Sequence, residues 1–260
     1  ISSTLYNYNI PYGDILMNVI VTLVYGSMAR KFAKYSILPM AHYAKRIGAK
    51  LVIHKEIEQG PLSERTRAML SKLTIMRDTL SKNDRVIWID SDILMNVSAP
   101  NLFEIVPPQS YGGYDEFRTI KHTDGAGLLE SYRRCFQEEG WAPCEINNSF
   151  NCGLQVASKE HIKLFESSKN VGDYDLCEQA RINYRIKSLG IETFSLEEKW
   201  NLKPDRFSTY PNYLDAYALH YTGVSNELRL SLMARDSKLI SGRTEAFLKI
   251  PHLLPTSSES

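Results

Sequence analysis

Apolar residues along the chain form short continuous runs that alternate with longer stretches of helical spacing. The run VIVTLV (19–24) is rich in β-branched residues, which is typical of a strand covered on both faces. The stretch ARKFAKYSILPMAHYAKRIG (29–48) predicts a helix that is kinked or restarted at Pro39 and ends at Gly48. KLVIHK (50–55) then predicts a second strand. The pattern indicates a strand, a helix and a strand in succession.

A second unit of the same kind follows. Ser63 is a candidate helix N-cap, and apolar residues recur at helical spacing as far as the break at Asn83-Asp84 (Met69, Leu70, Leu73, Met76 and Leu80). The run RVIWI (85–89) predicts the next strand. Strands that alternate with helices predict a mostly parallel sheet, in which ligands bind beyond the carboxyl ends of the strands.

Two aspartates, Asp90 and Asp92, end the apolar run in VIWIDSDILM (86–95). Carboxylates separated by one residue repel each other unless a positive charge lies near them, and a divalent cation provides it. Oxygen ligands favour Mg²⁺ or Mn²⁺. An ordinary acidic loop after a strand is the alternative interpretation of these residues taken alone.

Length and charge narrow the function classes. A chain of 260 residues fits one α/β domain better than two complete ones. Its 31 basic and 30 acidic residues leave a formal net charge of +1, which argues against nucleic acid or an anionic membrane as a general partner. Small-molecule chemistry is therefore favoured.

Neither the apolar runs nor the cysteines fix a cellular compartment. No run approaches the length of a membrane span, and the chain begins at Ile1, which leaves open an upstream signal, anchor or further domain. A cytoplasmic and a Golgi-lumenal location both remain open. The four cysteines lack the close pairing of a zinc site, so we expect buried or free thiols (Cys135, Cys144, Cys152 and Cys177).

Six segments occur in an order that resembles one enzyme class. They are VIVTLVYG (19–26), SKLTIMRDTLSKNDRVIWIDSDILMNVSAPNLFE (71–104), NNSFNCGLQVAS (147–158), CEQARIN (177–183), SLEEKWN (195–201) and ALHYTG (218–223). Together they resemble nucleotide-sugar glycosyltransferases with the GT-A fold and a D-x-D motif, especially the glycogenin-like and related retaining families. The resemblance runs from about Val19 to Gly223.

The resemblance implies a fold and an activity. The fold is a single α/β domain of GT-A (Rossmann-like) type over residues 1–250, with a mostly parallel central sheet flanked by helices. The nucleotide-binding part would span about 15–110 and the acceptor and catalytic part about 111–250, with a flexible tail at 251–260. The activity is metal-dependent hexosyl or pentosyl transfer, with retention, from a UDP-sugar to a hydroxyl of a glycan or glycoconjugate, with Mn²⁺ or Mg²⁺.

The resemblance also implies roles for single residues. Asp92 and His220 would bind the metal, with Asp90 as a further ligand or a contact to the sugar or ribose. The remaining donor contacts would come from Leu23, Tyr25, Lys72, Asn151, Gly153 and Gly223. Glu178 and Gln179 would lie near the anomeric carbon as catalytic residues, and Trp200 and Asn201 would shape the acceptor side.

Ordinary structural roles remain open for several of these residues. His220 alone is also a candidate structural histidine, and Lys72 a solvated lysine beside an apolar stripe. Helical periodicity by itself would place Glu178 and Gln179 on a solvent face. Leu23, Tyr25 and Trp200 are all candidate core residues.

Alternative functions also remain open. An inverting transferase would need a base, for which Asp115 and Glu116 are candidates. A non-catalytic module that binds nucleotide sugars or glycans could share the fold. A phosphatase of the haloacid-dehalogenase type also has D-x-D after a strand, but Leu94 departs from its D-x-D-x-[TV] motif. The lysine that the family places after His-x-x-Gly is missing here, and Arg229 is a candidate substitute.

Overall fold

The structure is a computed structural model that describes residues 18–118, 125–167 and 176–248. Its strands are β1 (Val19–Leu23), β2 (Lys50–His54), β3 (Arg85–Ile89), β4 (Ile93–Met95), β5 (Tyr111–Asp115), β6 (Phe150–Ser158), β7 (Thr193–Ser195) and β8 (Ala218–His220). Its α-helices are α1 (Gly26–Arg46), α2 (Glu64–Leu80), α3 (Leu102–Ile105), α4 (Gly125–Glu139), α5 (Cys177–Ser188) and α6 (Asn226–Leu248). The predicted tail at 251–260 lies outside the described residues.

The main sheet has six strands in the order β2-β1-β3-β6-β5-β7. β6 runs antiparallel to both of its neighbours, β3 and β5, whereas the other neighbouring pairs are parallel. Strands from the two predicted parts of the chain, 15–110 and 111–250, therefore belong to one sheet. The predicted α/β class with a mostly parallel sheet is confirmed.

The first helices follow the predicted pattern. Ser63 caps α2, because its hydroxyl accepts a hydrogen bond from the backbone N–H of Thr66 at 3.2 Å. Gly48 follows α1 in the left-handed region at φ +67°, as the predicted stop requires. Pro39 lies inside one continuous helix, so the helix does not restart there, and a kink at Pro39 stays a prediction. Buried residues on both sides of Pro39, including Phe32 and Met40, hold the two halves of α1 against the core.

Strands β1 and β3 are buried on both faces, as their apolar runs predicted. Ile20 of β1 packs in one cluster with Met40 of α1. Its neighbours Val19 and Val21 point to the opposite face and pack with Leu73 of α2. Because β1 and β3 are parallel, their carboxyl ends lie at the same edge of the sheet, directly before the predicted ligand residues.

A second, two-stranded sheet forms beside this edge. β4 pairs antiparallel with β8, and the register sets Ile93 opposite His220. Helix α6 packs on this unit and on α1 through Met233 and Phe32. All four cysteines are free thiols, as expected. Within the described ranges, no helix has the length and apolar character that a bilayer crossing requires.

Candidate active site

Asp90, Asp92 and His220 converge at the carboxyl edge of the main sheet. Asp90 follows β3 directly, Asp92 precedes β4, and the pairing of Ile93 with His220 brings the histidine to the aspartates. One ligand atom from each of the three side chains lies within 4.8 Å of the others. The indole N–H of Trp88 donates to Asp90 Oδ1 at 2.6 Å and orients that carboxylate. The three predicted metal ligands are therefore brought together.

His220 presents a ring nitrogen lone pair to these carboxylates. Its Nδ1–H donates to Asn201 Oδ1 at 2.7 Å, which leaves Nε2 as the unprotonated nitrogen, 3.7 Å from Asp92 Oδ1. Burial lowers the pKa of His220 to about 3, so the ring is neutral. A lone pair that faces a carboxylate is unfavourable unless a cation lies between them. Two carboxylates and a hydrogen-bonded neutral imidazole form a donor set that fits a divalent metal.

Gly153 of β6 provides the space that the His220 ring occupies. A Cβ at this position would lie 2.3 Å from His220 Cε1 and 2.9 Å from both ring nitrogens. The carbonyl oxygen of Gly153 also accepts from the backbone N–H of Asp90 at 2.8 Å. The glycine expected to line the sugar pocket thus contacts the cluster directly.

Lys72 lies at the centre of the charged groups. Its Nζ donates to the carbonyl oxygen of Cys152 at 2.8 Å and lies 3.1 Å from Asp90 Oδ1 and 3.5 Å from Glu178 Oε1. It also lies 5.2 Å from the centre of the Trp88 ring. Burial alone would lower the pKa of Lys72, but the two carboxylates raise it above its ordinary value. With 5% exposure, Lys72 is a buried cation, so the solvated alternative is wrong.

Glu178 and Gln179 lie in the first turn of α5 and are both buried, at 6% and 2% exposure. The solvent-face alternative is therefore wrong. Gln179 accepts from the backbone N–H of Cys152 at 3.3 Å and donates to Glu116 Oε2 at 2.8 Å. Glu178 Oε2 is buried and has no hydrogen-bond partner among the described residues. This buried oxygen therefore keeps an unused capacity to accept a hydrogen bond.

Glu116 is held by donors from three other parts of the chain. Asn151 Nδ2 donates to its Oε1 at 3.1 Å, Gln179 binds Oε2, and Lys203 forms an ion pair with Oε1. Asn151 in turn accepts from the backbone N–H of Gly153 at 2.9 Å, so this network continues to the glycine that lies against the His220 ring. The sequence did not indicate Lys203, because nothing in KWNLKP (199–204) distinguishes it from a lysine on the surface.

Asp115 has a structural role. Its Oδ1 accepts from the backbone N–H groups of Ser149 at 2.9 Å and Phe117 at 3.2 Å, and the residue is 6% exposed. These bonds hold the end of β5 to the chain that enters β6. An oxygen committed to two backbone donors is poorly placed to remove a proton from a substrate.

Arg229 of α6 places a second cation beside Asp92. Its Nη1 lies 3.0 Å from Asp92 Oδ2, and its guanidinium lies 5.3 Å from the centre of the Phe32 ring. Burial raises the pKa of Asp92, and the charges of Arg229 and Lys72 oppose that rise. The structure thus brings the candidate substitute for the missing lysine to the predicted site.

The other predicted donor residues lie near the same edge or at its margin. Leu23 ends β1 opposite His54 of β2, and Tyr25 follows before α1; both are partly buried. Gly223 has φ +76° and turns the chain between β8 and α6, a conformation that favours glycine. A Cβ on Gly223 would have open space around it, so no contact with the cluster is indicated.

Trp200 and Asn201 do not form an acceptor surface. Trp200 is 2% exposed and packs in the core against Tyr217, with 4.8 Å between the ring centres. No ring face is left for a sugar, so the core alternative accounts for Trp200. Asn201 is equally buried and serves as the hydrogen-bond partner of His220.

Comparisons with known proteins support the fold. No protein-family model matches the chain, and no curated protein sequence is significantly similar to it. The structure is similar to that of a glycosyltransferase involved in the glycosylation of the major capsid of PBCV-1, with 16% identity, a TM-score of 0.57 and coverage of 84% of this chain and 99% of that one. Mouse xyloside xylosyltransferase 1 in its apo form matches at 11% identity and a TM-score of 0.46, covering 79% of this chain and 98% of that one. At 16% identity the first likeness shows a shared fold.

Proposed function

We propose that this protein is a metal-dependent glycosyltransferase that moves a hexosyl or pentosyl group from a nucleoside-diphosphate sugar to an acceptor hydroxyl. The observation that carries the proposal is the neutral His220 ring, whose Nε2 faces Asp90 and Asp92 at the ligand-binding edge of a glycosyltransferase-like fold. Lys72 beside the cluster supports a phosphorylated ligand.

Asp90, Asp92 and His220 would hold the divalent cation, Mn²⁺ or Mg²⁺. When bound, the cation supplies a Lewis acid for the diphosphate that leaves the sugar. Arg229 and Lys72 add fixed positive charges on either side of Asp92 and Asp90. They would bind the phosphate oxygens and stabilise the negative charge that develops as the glycosidic bond breaks.

The sugar would bind next to the cluster, between β6 and the start of α5. Asn151, Gly153 and Gln179 line this region through the network that ends at Glu116. Glu178 Oε2, which has no partner among the described side chains, would accept a sugar hydroxyl or stabilise positive charge at the anomeric carbon. Leu23 and Tyr25 would contact the base at the end of β1, and UDP is the nucleotide we expect.

The hydrogen bonds and the ion pair of the two candidate bases favour retention of configuration over inversion. Asp115 accepts two backbone N–H groups, and Glu116 is engaged by Lys203, Asn151 and Gln179. Protonation of Glu116 would weaken its ion pair with Lys203, and Asp115 could take a proton only on Oδ2, because its Oδ1 already accepts two backbone N–H groups. In a retaining reaction the leaving phosphate takes the acceptor proton, and no dedicated base is required.

The test is a calorimetric titration with UDP, UDP-glucose, UDP-galactose, UDP-xylose and GDP-mannose, each with Mn²⁺ and with chelator. We expect one nucleotide to bind in a metal-dependent manner, and Asp92→Asn to weaken that binding at least about tenfold. Asp78→Asn is the matched control, because Asp78 is an exposed aspartate on α2.

Binding that survives both chelator and Asp92→Asn would refute the metal assignment. If none of the nucleotides binds under any condition, the transferase proposal fails. The phosphatase alternative or a binding module for another ligand would then have to be tested.

A further inference from the structure

Lys203 belongs to a segment that pairs with the strand carrying His220. The His220 backbone N–H donates to the carbonyl oxygen of Leu202 at 3.0 Å, so this segment lies beside β8. Asn201, directly before Leu202, accepts from His220 Nδ1, and Lys203, directly after it, forms the ion pair with Glu116. One short segment therefore contacts both a predicted metal ligand and the carboxylate of Glu116.

The pair of Lys203 and Glu116 lies between the site and solvent. The Lys203 side chain is 23% exposed, whereas that of Glu116 is 8% exposed. Burial is the main cause of the low pKa of His220; the charge of Lys203 lowers this pKa further, and that of Glu116 raises it. Both charges therefore lie near the His220 ring. Lys203 is a partly exposed cation that pairs with a buried carboxylate close to the metal cluster.

Glu116 orients two side-chain amides. Asn151 donates through Nδ2 to Glu116 Oε1 at 3.1 Å, and its Oδ1 accepts from the backbone N–H of Gly153 at 2.9 Å. Gln179 donates through Nε2 to Glu116 Oε2 at 2.8 Å, and its Oε1 accepts from the backbone N–H of Cys152 at 3.3 Å. Each amide is bonded at both its oxygen and its nitrogen, so the carboxylate and β6 together fix its orientation.

The backbone of β6 is held independently of this carboxylate. β6 pairs with β3 on one side and with β5 on the other, and the Gly153 carbonyl oxygen accepts from the backbone N–H of Asp90 at 2.8 Å. The metal ligands Asp92 and His220 make no printed bond to either amide within the described ranges. A change at Glu116 should therefore alter the amides while the metal ligands keep their positions.

We propose that Lys203 is a positioning residue for the donor sugar, because its ion pair with Glu116 holds the two amides in the orientation that binds the sugar. The inference rests on the proposed glycosyltransferase function. An amide nitrogen has two N–H groups, and among the described residues Nδ2 of Asn151 donates to Glu116 alone. Its second N–H can donate to a sugar hydroxyl. Gln179 instead uses both of its N–H groups, since Nε2 also donates to the Tyr132 hydroxyl at 3.3 Å.

The first test compares UDP with UDP-glucose, UDP-galactose and UDP-xylose by calorimetric titration in the presence of Mn²⁺. In Lys203→Met we expect an unchanged affinity for UDP and an affinity for the bound UDP-sugar that is about fivefold lower, which corresponds to one weakened hydrogen bond. Lys203→Arg keeps the charge and should restore most of the loss. Lys199→Met is the matched control, because Lys199 lies in the same segment with its Nζ 5.6 Å from the centre of the Tyr217 ring.

The second test asks whether Lys203 acts through Glu116. Glu116→Gln should itself weaken UDP-sugar binding, and the double variant with Lys203→Met should bind no more weakly than Glu116→Gln alone. Additive losses would overturn the proposal, because Lys203 would then act on the ligand directly.

Three other results would also overturn the proposal. They are an unchanged UDP-sugar affinity in Lys203→Met, an equal loss for UDP and UDP-sugar, and the same loss in Lys199→Met. Failure of the wild type to bind either UDP or a UDP-sugar would contradict the proposed function, and this inference with it. That result differs from the others, in which the wild type binds UDP.

Discussion

A methyl group added at Gly153 should disable the proposed metal site while leaving all three ligands present. In Gly153→Ala the new Cβ would lie 2.3 Å from His220 Cε1. The ring would have to move by roughly 1 Å to restore ordinary contact. It has little freedom to do so, because Nδ1 is bonded to Asn201 and the His220 backbone N–H donates to the carbonyl oxygen of Leu202 at 3.0 Å.

A shift of this size is large for a metal ligand. Coordination distances are held to within about 0.2 Å, so a ring displaced by several times that value leaves its ligand position. We expect the affinity for Mn²⁺ to fall about 10- to 100-fold, as when the orienting partner of a ligand is lost. Overpacking should also lower the free energy of unfolding by about 1–3 kcal/mol. Calorimetric titration with Mn²⁺ measures the first effect, and urea unfolding measures the second.

Gly127→Ala is the matched control. Gly127 lies in α4, and a Cβ there would meet no atom within 4 Å. Alanine inside a helix should be neutral or stabilising by about 0.5–1 kcal/mol, with Mn²⁺ affinity unchanged. If the Gly153→Ala protein binds Mn²⁺ as tightly as the wild type, then His220 is not a ligand, and the site must be built from the aspartates alone.

Three further predictions concern buried charged and titratable groups. Lys72→Met leaves Asp90 and Glu178 without their shared cation, so urea unfolding should show a loss of about 3 kcal/mol, and a loss near zero would contradict the buried ion pairs. Glu178→Ala should lower kcat about 100-fold with little change in UDP affinity; unchanged turnover would exclude Glu178 from the mechanism. Burial lowers the pKa of His161, whose Nδ1 accepts from the backbone N–H of Ser158 at 3.0 Å. Neutral His161 therefore contributes its full stabilisation of the fold above about pH 6.5, and this contribution is lost as the pH falls below that value. The free energy of unfolding should fall between pH 7.5 and pH 5.5 in the wild type by up to about 1 kcal/mol more than in His161→Gln.

Local sequence patterns were sufficient for the first half of the fold. The β-branched and apolar runs at 19–24 and 85–89 form strands, and Ser63 caps α2. Both features could be predicted because each depends on neighbouring residues only. The position of Asp90 and Asp92 at a strand end follows from the same local pattern. At Pro39 the local pattern left a kink and a restart open, and the helix runs through this residue with buried side chains on both sides of it.

The wrong and missed assignments all depend on contacts distant in sequence. Trp200 and Asn201 are neighbours in SLEEKWN, yet the first packs in the core and the second orients His220. Helical periodicity predicted a solvent face for Glu178 because it considers the helix alone, without the elements that pack against it. The pairing of Lys203 with Glu116 joins residues 87 positions apart, which no local pattern can indicate. Only the resemblance to known enzymes placed His220 at the aspartates.

The charges of the assembled site favour an order of binding. Four carboxylates (Asp90, Asp92, Glu116 and Glu178) face three cations (Lys72, Lys203 and Arg229), and His220 is neutral, so the site carries one net negative charge. A diphosphate would be repelled by that charge, whereas a divalent cation would be attracted and would reverse its sign. The donor should therefore bind weakly before the metal and tightly after it. Arg229 contacts Asp92 directly. If Asp92 bound a metal, its negative charge would be shared between the metal and the guanidinium of Arg229. The guanidinium would then be available to the incoming phosphate.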